Sequence, residues 1–386
     1  MADVDGILIV GGGIAGLTLA AALDLRAFRA ELVEREPTWH AVGAGIAVQP
    51  NGMRVLASLG LATEAERAGT VIGRWCFRDQ SGDALCENDL TAVWRGIAPD
   101  VNRFVGIARP ALHRVLLAGA AAVPKRLGVS VTALASEPGA ERVSVRFSDG
   151  SVGAYGLVVG CDGIHSTVRT LAAAAADGDA AATVDHGQMT WRSIAPVRPR
   201  GMTGLEFLVG DGSFFGLCPV GDGCSYGFAN VSEPRRHDPI AGRLDRLRAR
   251  FADYAPMVQE YLAALTSDQQ IHCTPIEWTP RLAWGAGRVV LIGDAAHASL
   301  PMMGQGGCMA MEDAYVLAEV LRAADHVGAA LNAFAARRDG RVELVRQQSL
   351  AVARSVALPP AVRDPVLREK GAAILHARYQ PLVAPP

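Results

Sequence analysis

Six residues near the start of the chain, Gly11-Gly12-Gly13-Ile14-Ala15-Gly16, fit the spacing G-x-G-x-x-G. In that spacing the first glycine makes a tight turn, the second lets backbone approach a pyrophosphate, and the third lets a helix pack closely on a strand. The helix that follows turns its unpaired N–H groups toward phosphate. Glu34 comes 18 residues after Gly16, where an acidic side chain accepts hydrogen bonds from a ribose. Together these residues point to an adenine dinucleotide; a purely structural turn would leave the position of Glu34 to coincidence. A second cluster runs from Gly293-Asp294 to Gly304-Gln305-Gly306-Gly307. A carboxylate at a strand's carboxyl end can hold a sugar-alcohol hydroxyl. A glycine-flanked helix start beside it would stabilise negative charge on a bound ring.

These residues need a scaffold, and the flanking pattern supplies one. Apolar runs at 6–10 and 30–33 bracket the glycine turn and an Ala/Leu-rich segment at 17–25. That order is strand, turn, helix, strand, so the sheet is expected to be parallel. Further helices are predicted over 50–59, 109–122, 306–321, 327–356 and 364–379, and one with a solvated basic face over 243–251. A buried strand at 288–292 returns to the parallel sheet. Residues 129–159 read as short alternating strands in a hairpin-rich segment, and 188–231 as an antiparallel sheet with Gly-Asp-Gly turns at 210–212 and 221–223. The Ala/Asp/Gly stretch 171–183 is expected to be a linker. A nicotinamide dehydrogenase usually continues its first nucleotide-binding half without interruption. Here the chain leaves after Glu34 and returns near Arg288, a topology that suits FAD.

Length and composition exclude several classes. With 386 residues, half of them apolar, the chain is too long for a small stapled module and too hydrophobic for wholesale disorder. The charge of 37 − 39 = −2, with no long basic run, argues against a nucleic-acid partner. Seven cysteines are scattered without a C-x-x-C pair or a histidine at ligand spacing, which suits reduced thiols in a cytoplasmic protein and gives no metal site. Residues 7–23 contain four glycines and follow a stretch without Lys or Arg, so neither a signal peptide nor stable membrane insertion is expected. The oligomeric state is left open.

Three ordered motifs identify a resemblance: the glycine fingerprint with Glu34, the segment Gly160-Cys-Asp-Gly-Ile-His-Ser-Thr-Val-Arg169, and Gly293-Asp294 with Pro301 and Gly304-Gln305-Gly306. The chain resembles the class A flavoprotein monooxygenases of the para-hydroxybenzoate hydroxylase type. Gly43-Ala-Gly-Ile46, Pro50-Asn51 and Arg109 fall in the same order, while the middle, roughly 185–275, matches weakly. The implied fold is α/β, a Rossmann-type FAD-binding domain with an inserted antiparallel-sheet substrate domain and C-terminal helices. Its expected boundaries are 1–72 with 104–184 and 276–330 for FAD, 73–103 with 185–275 for substrate, and 331–386 for the helices. No thioredoxin-like third domain is expected.

The resemblance also implies roles. Glu34 would hold the adenosine ribose, Arg35 and Arg109 the nucleotide and pyrophosphate, and Asp162 would order the pyrophosphate region. Asp294, read as buried and hydrogen-bonded, would bind the ribityl chain or pyrophosphate. Pro301 would lie over the flavin ring, with backbone from Gly304 through Gln305 and Gly306 to Gly307 facing its pyrimidine side. Gly11, Gly13, Ile14, Ala15, Gly16 and Gly45 complete the cofactor set. His297 reads as a structural side chain and Cys308 as a buried packing residue. NADH or NADPH would reduce FAD, O2 would add to it, and the resulting hydroperoxide would oxygenate an aromatic or polycyclic small molecule.

On the substrate side the candidates are Trp191, Arg192, Phe214, Phe215, Cys218 and Tyr226. The aromatic residues among them read equally well as core. Tyr226 is the candidate for contact with a substrate hydroxyl. Relatives often carry a polar or charged residue near the position of Phe214, and its loss here favours an apolar substrate. A flavin halogenase would show W-x-W-x-I-P, and Trp191-Arg-Ser-Ile-Ala-Pro196 lacks the second Trp. A flavin-dependent oxidase or dehydrogenase, or a non-catalytic flavin-fold binder, remains the alternative.

Overall fold

The strand Ile7–Val10 is buried along its whole length. It pairs in parallel with Ala30–Glu34 on one side and Leu157–Gly160 on the other. Both faces of a central parallel strand are covered, which is why these segments read as continuous apolar runs. The computed structural model describes residues 2–39, 44–136, 139–175 and 182–386. In it this sheet has six strands, in the order Gly285–Ala286, Val289–Leu291, Leu157–Gly160, Ile7–Val10, Ala30–Glu34 and Lys125–Leu127. The helix Ile14–Ala22 packs over it beside Gly306–Ala323.

Two expectations need correction here. Residues 157–159 belong to the parallel sheet and not to the hairpin segment. Leu157, Val158 and Val159 have no exposed surface, whereas Val143–Phe147 alternates buried and exposed as a one-sided antiparallel strand does. That strand joins Val131–Ala135 and Val152–Tyr155 in a separate three-stranded sheet. The expected linker at 171–183 is in part a helix, Thr167–Ala175, because a run of alanines has high helix propensity. Its stretch 176–181 lies outside the described residues, as does Gly43 of the 43–46 motif.

The second large sheet has seven strands, in the order His272–Trp278, Val184–Ala195, Ser225–Ser232, Ser213–Pro219, Leu205–Val209, Arg74–Asp79 and Ala84–Asp89. All its pairings are antiparallel except Leu205–Val209 with Arg74–Asp79. The Gly-Asp-Gly turns fall between its strands, as expected. One face packs on the helices Arg243–Arg250 and Pro256–Ala263, the latter not predicted, through a core that includes Phe215, Phe251 and Tyr261. The other face turns toward the six-stranded sheet and the C-terminal helices Val327–Val356 and Pro360–Tyr379. Among the described residues no helix is long and apolar enough to cross a membrane, and all seven cysteines are unpaired thiols.

Candidate active site

Two cavities open where the fingerprint strand ends. The first, about 540 Å³, is bordered by Gly11, Gly13, Glu34, Arg35, Arg109 and Asp162. The second, about 600 Å³, lies between the two large sheets. Gly13, Arg109, Cys161, Gly163 and His165 border both, so a long ligand can run from one into the other.

The fingerprint glycines are explained by what a side chain would strike. Gly11 has φ +108, and a Cβ on Gly16 would stand 2.0 Å from the Gly11 carbonyl oxygen. A Cβ on Gly13 meets no protein atom within 4 Å and would project into the space the two cavities share. Glu34 stands at the strand end with its carboxylate accepting the Gly12 and Glu36 N–H groups at 2.7 and 2.9 Å. Arg109 is exposed, and its guanidinium has no hydrogen-bond partner among the described residues. Arg35 extends into solvent beside Glu36. Asp162 accepts the Ser166 hydroxyl at 2.5 Å and the Val168 N–H at 3.0 Å, so it ties the turn after Leu157–Gly160 to the next helix.

Asp294 differs from its expectation. It is the first residue of the short helix Asp294–His297 and is exposed to the cavity, with no hydrogen-bond partner among the described residues. Gln305 likewise does not border the cavity; it is buried and donates to the Gln49 side chain at 2.8 Å and to Asn51 at 3.2 Å. Gln49 in turn donates to the carbonyls of Met303 and Gly304. This triad fixes the turn from which Gly306–Ala323 starts, with Gly304, Gly306 and Gly307 at the cavity edge and Pro301 beside them. Ile14, Ala15 and Gly45 border the same space.

Beneath that turn lies a buried ionic network that the sequence reading did not find. Arg338, with no exposed surface, bridges Glu312 at 2.8 Å and Asp313 at 2.7 Å. Asp313 also accepts from His297 at 2.5 Å and from the Gly293 N–H at 2.9 Å. Burial alone would raise the Asp313 carboxyl, but His297 and Arg338 outweigh it and pull it down to about 2. His297 is thus occupied structurally. Cys308 is buried against Gly52 and pushed up to about 12 by burial, an inert thiol. The one available signal was that Glu312-Asp313 falls within a stretch, 306–318, that carries no other charged residue, where buried carboxylates need cationic partners.

The wall opposite the turn is set by strand alternation. Thr190 and Arg192 border the cavity, as do Phe214 and Cys218. Trp191 and Phe215 point to the other face of the sheet and do not border it. Trp191 is 3% exposed with Arg250 stacked over its ring at 5.1 Å, and Phe215 meets Phe251 edge-on at 5.1 Å. Successive side chains of a strand take opposite faces, so neighbours cannot both line one cavity. Arg192 donates to Thr274 at 2.8 Å. Tyr226 faces the cavity with Gly45 against its ring, where a Cβ would come within 2.4 Å. Its hydroxyl has no partner among the described residues, and burial pushes its pKa up to about 12. Trp75, Phe77, Phe207 and Phe228, which sequence reasoning missed, complete an aromatic wall around Phe214.

A cradle for an extended nucleotide continuous with an aromatic cavity defines a flavoprotein of the hydroxylase class. The unpartnered Arg109 and Asp294 and the open space at Gly13 fit FAD, which the comparisons support. A family model described as "FAD binding domain" matches residues 4–349. The FAD-dependent urate hydroxylase of Klebsiella pneumoniae is 32% identical, over 97% of this chain and 94% of that protein. The 2-heptyl-3-hydroxy-4(1H)-quinolone synthase of Pseudomonas aeruginosa is 32% identical, over 90% and 88%. The crystal structure of Klebsiella pneumoniae HpxO complexed with FAD and uric acid superposes with a TM-score of 0.88 at 27% identity, covering 99% of this chain and 97% of that one. The chain belongs to this FAD-binding family, among the class A aromatic monooxygenases of the para-hydroxybenzoate hydroxylase type, and is an FAD-dependent enzyme.

Proposed function

We propose that this enzyme uses NADH or NADPH and O2 to insert one oxygen atom into an aromatic or polycyclic, largely apolar small molecule. The observation that carries this reading is the 600 Å³ cavity, which has an aromatic wall on one side and Pro301 with the Gly304–Gly307 turn on the other. Bound FAD supplies the activation of O2 and the delivery of oxygen. The protein's part is binding, orientation and exclusion of water. Glu34, Arg35, Arg109, Asp162 and Asp294 would hold the nucleotide and ribityl chain. The N-terminus of Gly306–Ala323 offers N–H groups to negative charge at the ring. Trp75, Phe77, Phe207, Phe214 and Phe228 shield the reacting carbon from water, which favours oxygen transfer over wasteful peroxide release. Tyr226 would donate a hydrogen bond to a substrate oxygen as charge develops there.

In this reading residues 1–72, 104–184 and 276–330 hold the cofactor, 73–103 with 185–275 select the substrate, and 331–386 close the cavity. The test is a screen of aromatic and polycyclic compounds for stimulated NADH or NADPH oxidation by the FAD-loaded enzyme. Mass spectrometry should find a product heavier by one oxygen atom that derives from labelled O2. A product that gains oxygen from water, or loses hydrogen without gaining oxygen, would mark an oxidase or dehydrogenase instead.

A further inference from the structure

The C-terminal helices also supply the aromatic cavity with a cation. Arg378 comes from the last turn of the helix Pro360–Tyr379 and borders the cavity together with Tyr379. Its Nε is buried without a partner, and its guanidinium has no hydrogen bond or ion pair among the described residues. Three other arginines share a buried, unpartnered Nε, namely Arg54, Arg169 and Arg346. Each of those spends its terminal nitrogens on carbonyls or a carboxylate. Arg378 does not.

The helix also presents Arg378 at a fixed place. At its start Arg363 donates to the carbonyls of Gly210 at 2.6 Å and Val209 at 3.1 Å, which docks it on the substrate sheet. At its end the Tyr379 hydroxyl donates to the Met303 carbonyl at 2.9 Å, the same carbonyl that holds Gln49 beside Gly304. The cation therefore stands between the aromatic wall and the glycine turn. Burial lowers the pKa of Arg378 from 12.5, and no carboxylate acts against that shift. A guanidinium stays protonated in proteins, so this half-buried cation keeps its terminal nitrogens free to meet an anion.

We propose that Arg378 is a specificity-determining residue that binds an acidic oxygen, a carboxylate, phenolate or enolate, on an otherwise apolar aromatic substrate. This deepens the reading of the cavity as the substrate site and rests on it. The planar fork of five donors matches two adjacent acceptor oxygens or one charge-rich oxygen, while the ring of the ligand would lie among Phe207, Phe214 and Phe228. Phe214 fills space with no charge of its own, and Arg192, the cation the sheet does supply, already donates to Thr274, so the anion is assigned to the C-terminal helix.

Equilibrium binding tests this without turnover. The FAD-loaded wild type, Arg378→Gln and Arg378→Lys are titrated calorimetrically with 2-naphthoate and with neutral 2-naphthamide, and the FAD affinity of each apoprotein is measured alongside. The wild type should prefer naphthoate by about ten- to hundredfold, the range of a hydrogen bond to a charged group. Arg378→Gln should abolish that preference while leaving naphthamide and FAD binding within about twofold, and Arg378→Lys should restore part of it. No preference or no binding in the wild type overturns the proposal, as does a preference that survives in Arg378→Gln. A loss of FAD affinity in the variant also overturns it, since Arg378 would then face the cofactor. Charge-selective binding without oxygen insertion would instead defeat the functional reading and leave this one standing.

Discussion

Tyr226→Phe separates packing from chemistry, because the hydroxyl it removes has no partner among the described residues while the ring is held between Gly45 and Phe228, 5.1 Å away. No internal hydrogen bond is lost, so the change in stability should stay within about 0.5 kcal/mol, and FAD content should match the wild type. On turnover the magnitude depends on what the hydroxyl faces. A hydrogen bond to a neutral substrate oxygen is worth about 0.5–1.5 kcal/mol, or roughly two- to tenfold in rate; one to a developing charge is worth about 1.5–3 kcal/mol, or roughly ten- to hundredfold. The second range is expected. Since burial pushes the phenol up to about 12, it remains a donor at neutral and mildly alkaline pH, and the ratio of wild type to variant should be flat from roughly pH 6 to 10. The assay pairs NADH or NADPH consumption with product and hydrogen peroxide yields, and the variant should release more peroxide per reductant consumed. Wild-type turnover and coupling would show that Tyr226 only packs, and would move the search to Arg192. A fall in melting temperature with loss of FAD would show that the hydroxyl holds the fold.

Arg338→Met removes the cation that Glu312 and Asp313 share; Arg341 still pairs with Glu312 and His297 with Asp313, so the cost falls at the low end for a broken buried pair, about 3 kcal/mol. For a chain of 386 residues this lowers the melting temperature by about 4 °C, read from the fluorescence of released flavin; an unchanged melt would refute the network's role. Asp313 carries a pH signature of its own. Its carboxyl is lowered from 3.8 to about 2 in the fold, so its stabilisation is complete above about pH 4 and lost as pH falls toward 2, and Asp313→Asn should flatten the acid limb of unfolding in that window. At the cofactor, Asp294→Ala should weaken FAD binding by at least about tenfold, whereas Cys308→Ser, a nearly isosteric change away from the cavity, should leave it within about threefold; fluorescence titration that gives equal losses would show the carboxylate to be misassigned.

What could be read from the sequence divides along a physical line. Gly11, Gly16 and Glu34 were legible because backbone geometry leaves little choice: a turn at φ +108 and a contact 2.0 Å from a carbonyl admit only glycine. The strand 143–147 was legible because a one-sided strand alternates, and that signal is local. The placement of 157–160 was not. A short apolar run has the same composition in a hairpin as at the centre of a parallel sheet, and only its partners Ile7–Val10 and Val289–Leu291 decide. Trp191 and Phe215 failed for a related reason. Alternation says that neighbours face opposite ways, but not which face of the sheet meets the cavity; the helices 243–250 and 256–263 decide that.

Two of the residues that escaped, Arg338 and Arg378, share one property, since each stands at a place composed by segments far away in sequence. Arg338 sits 25 residues beyond Asp313 on the next helix, and nothing in the sequence around it marks it as buried. Arg378 lies near the end of an amphipathic helix, where a basic residue is ordinarily explained by the helix dipole. Only the fold shows that this helix is tied to Val209 and Gly210 at one end and Met303 at the other. In the proposed reading the cofactor cradle is therefore written in short motifs that backbone geometry constrains, and the substrate cavity in contacts that join its sheet to the C-terminal helices. On that same reading, substrate choice can change through residues such as Phe214 and Arg378 without disturbing Gly11, Glu34 or Asp294. Relatives about one-third identical along nearly the whole chain carry names with different small molecules, urate in one and 2-heptyl-3-hydroxy-4(1H)-quinolone in another.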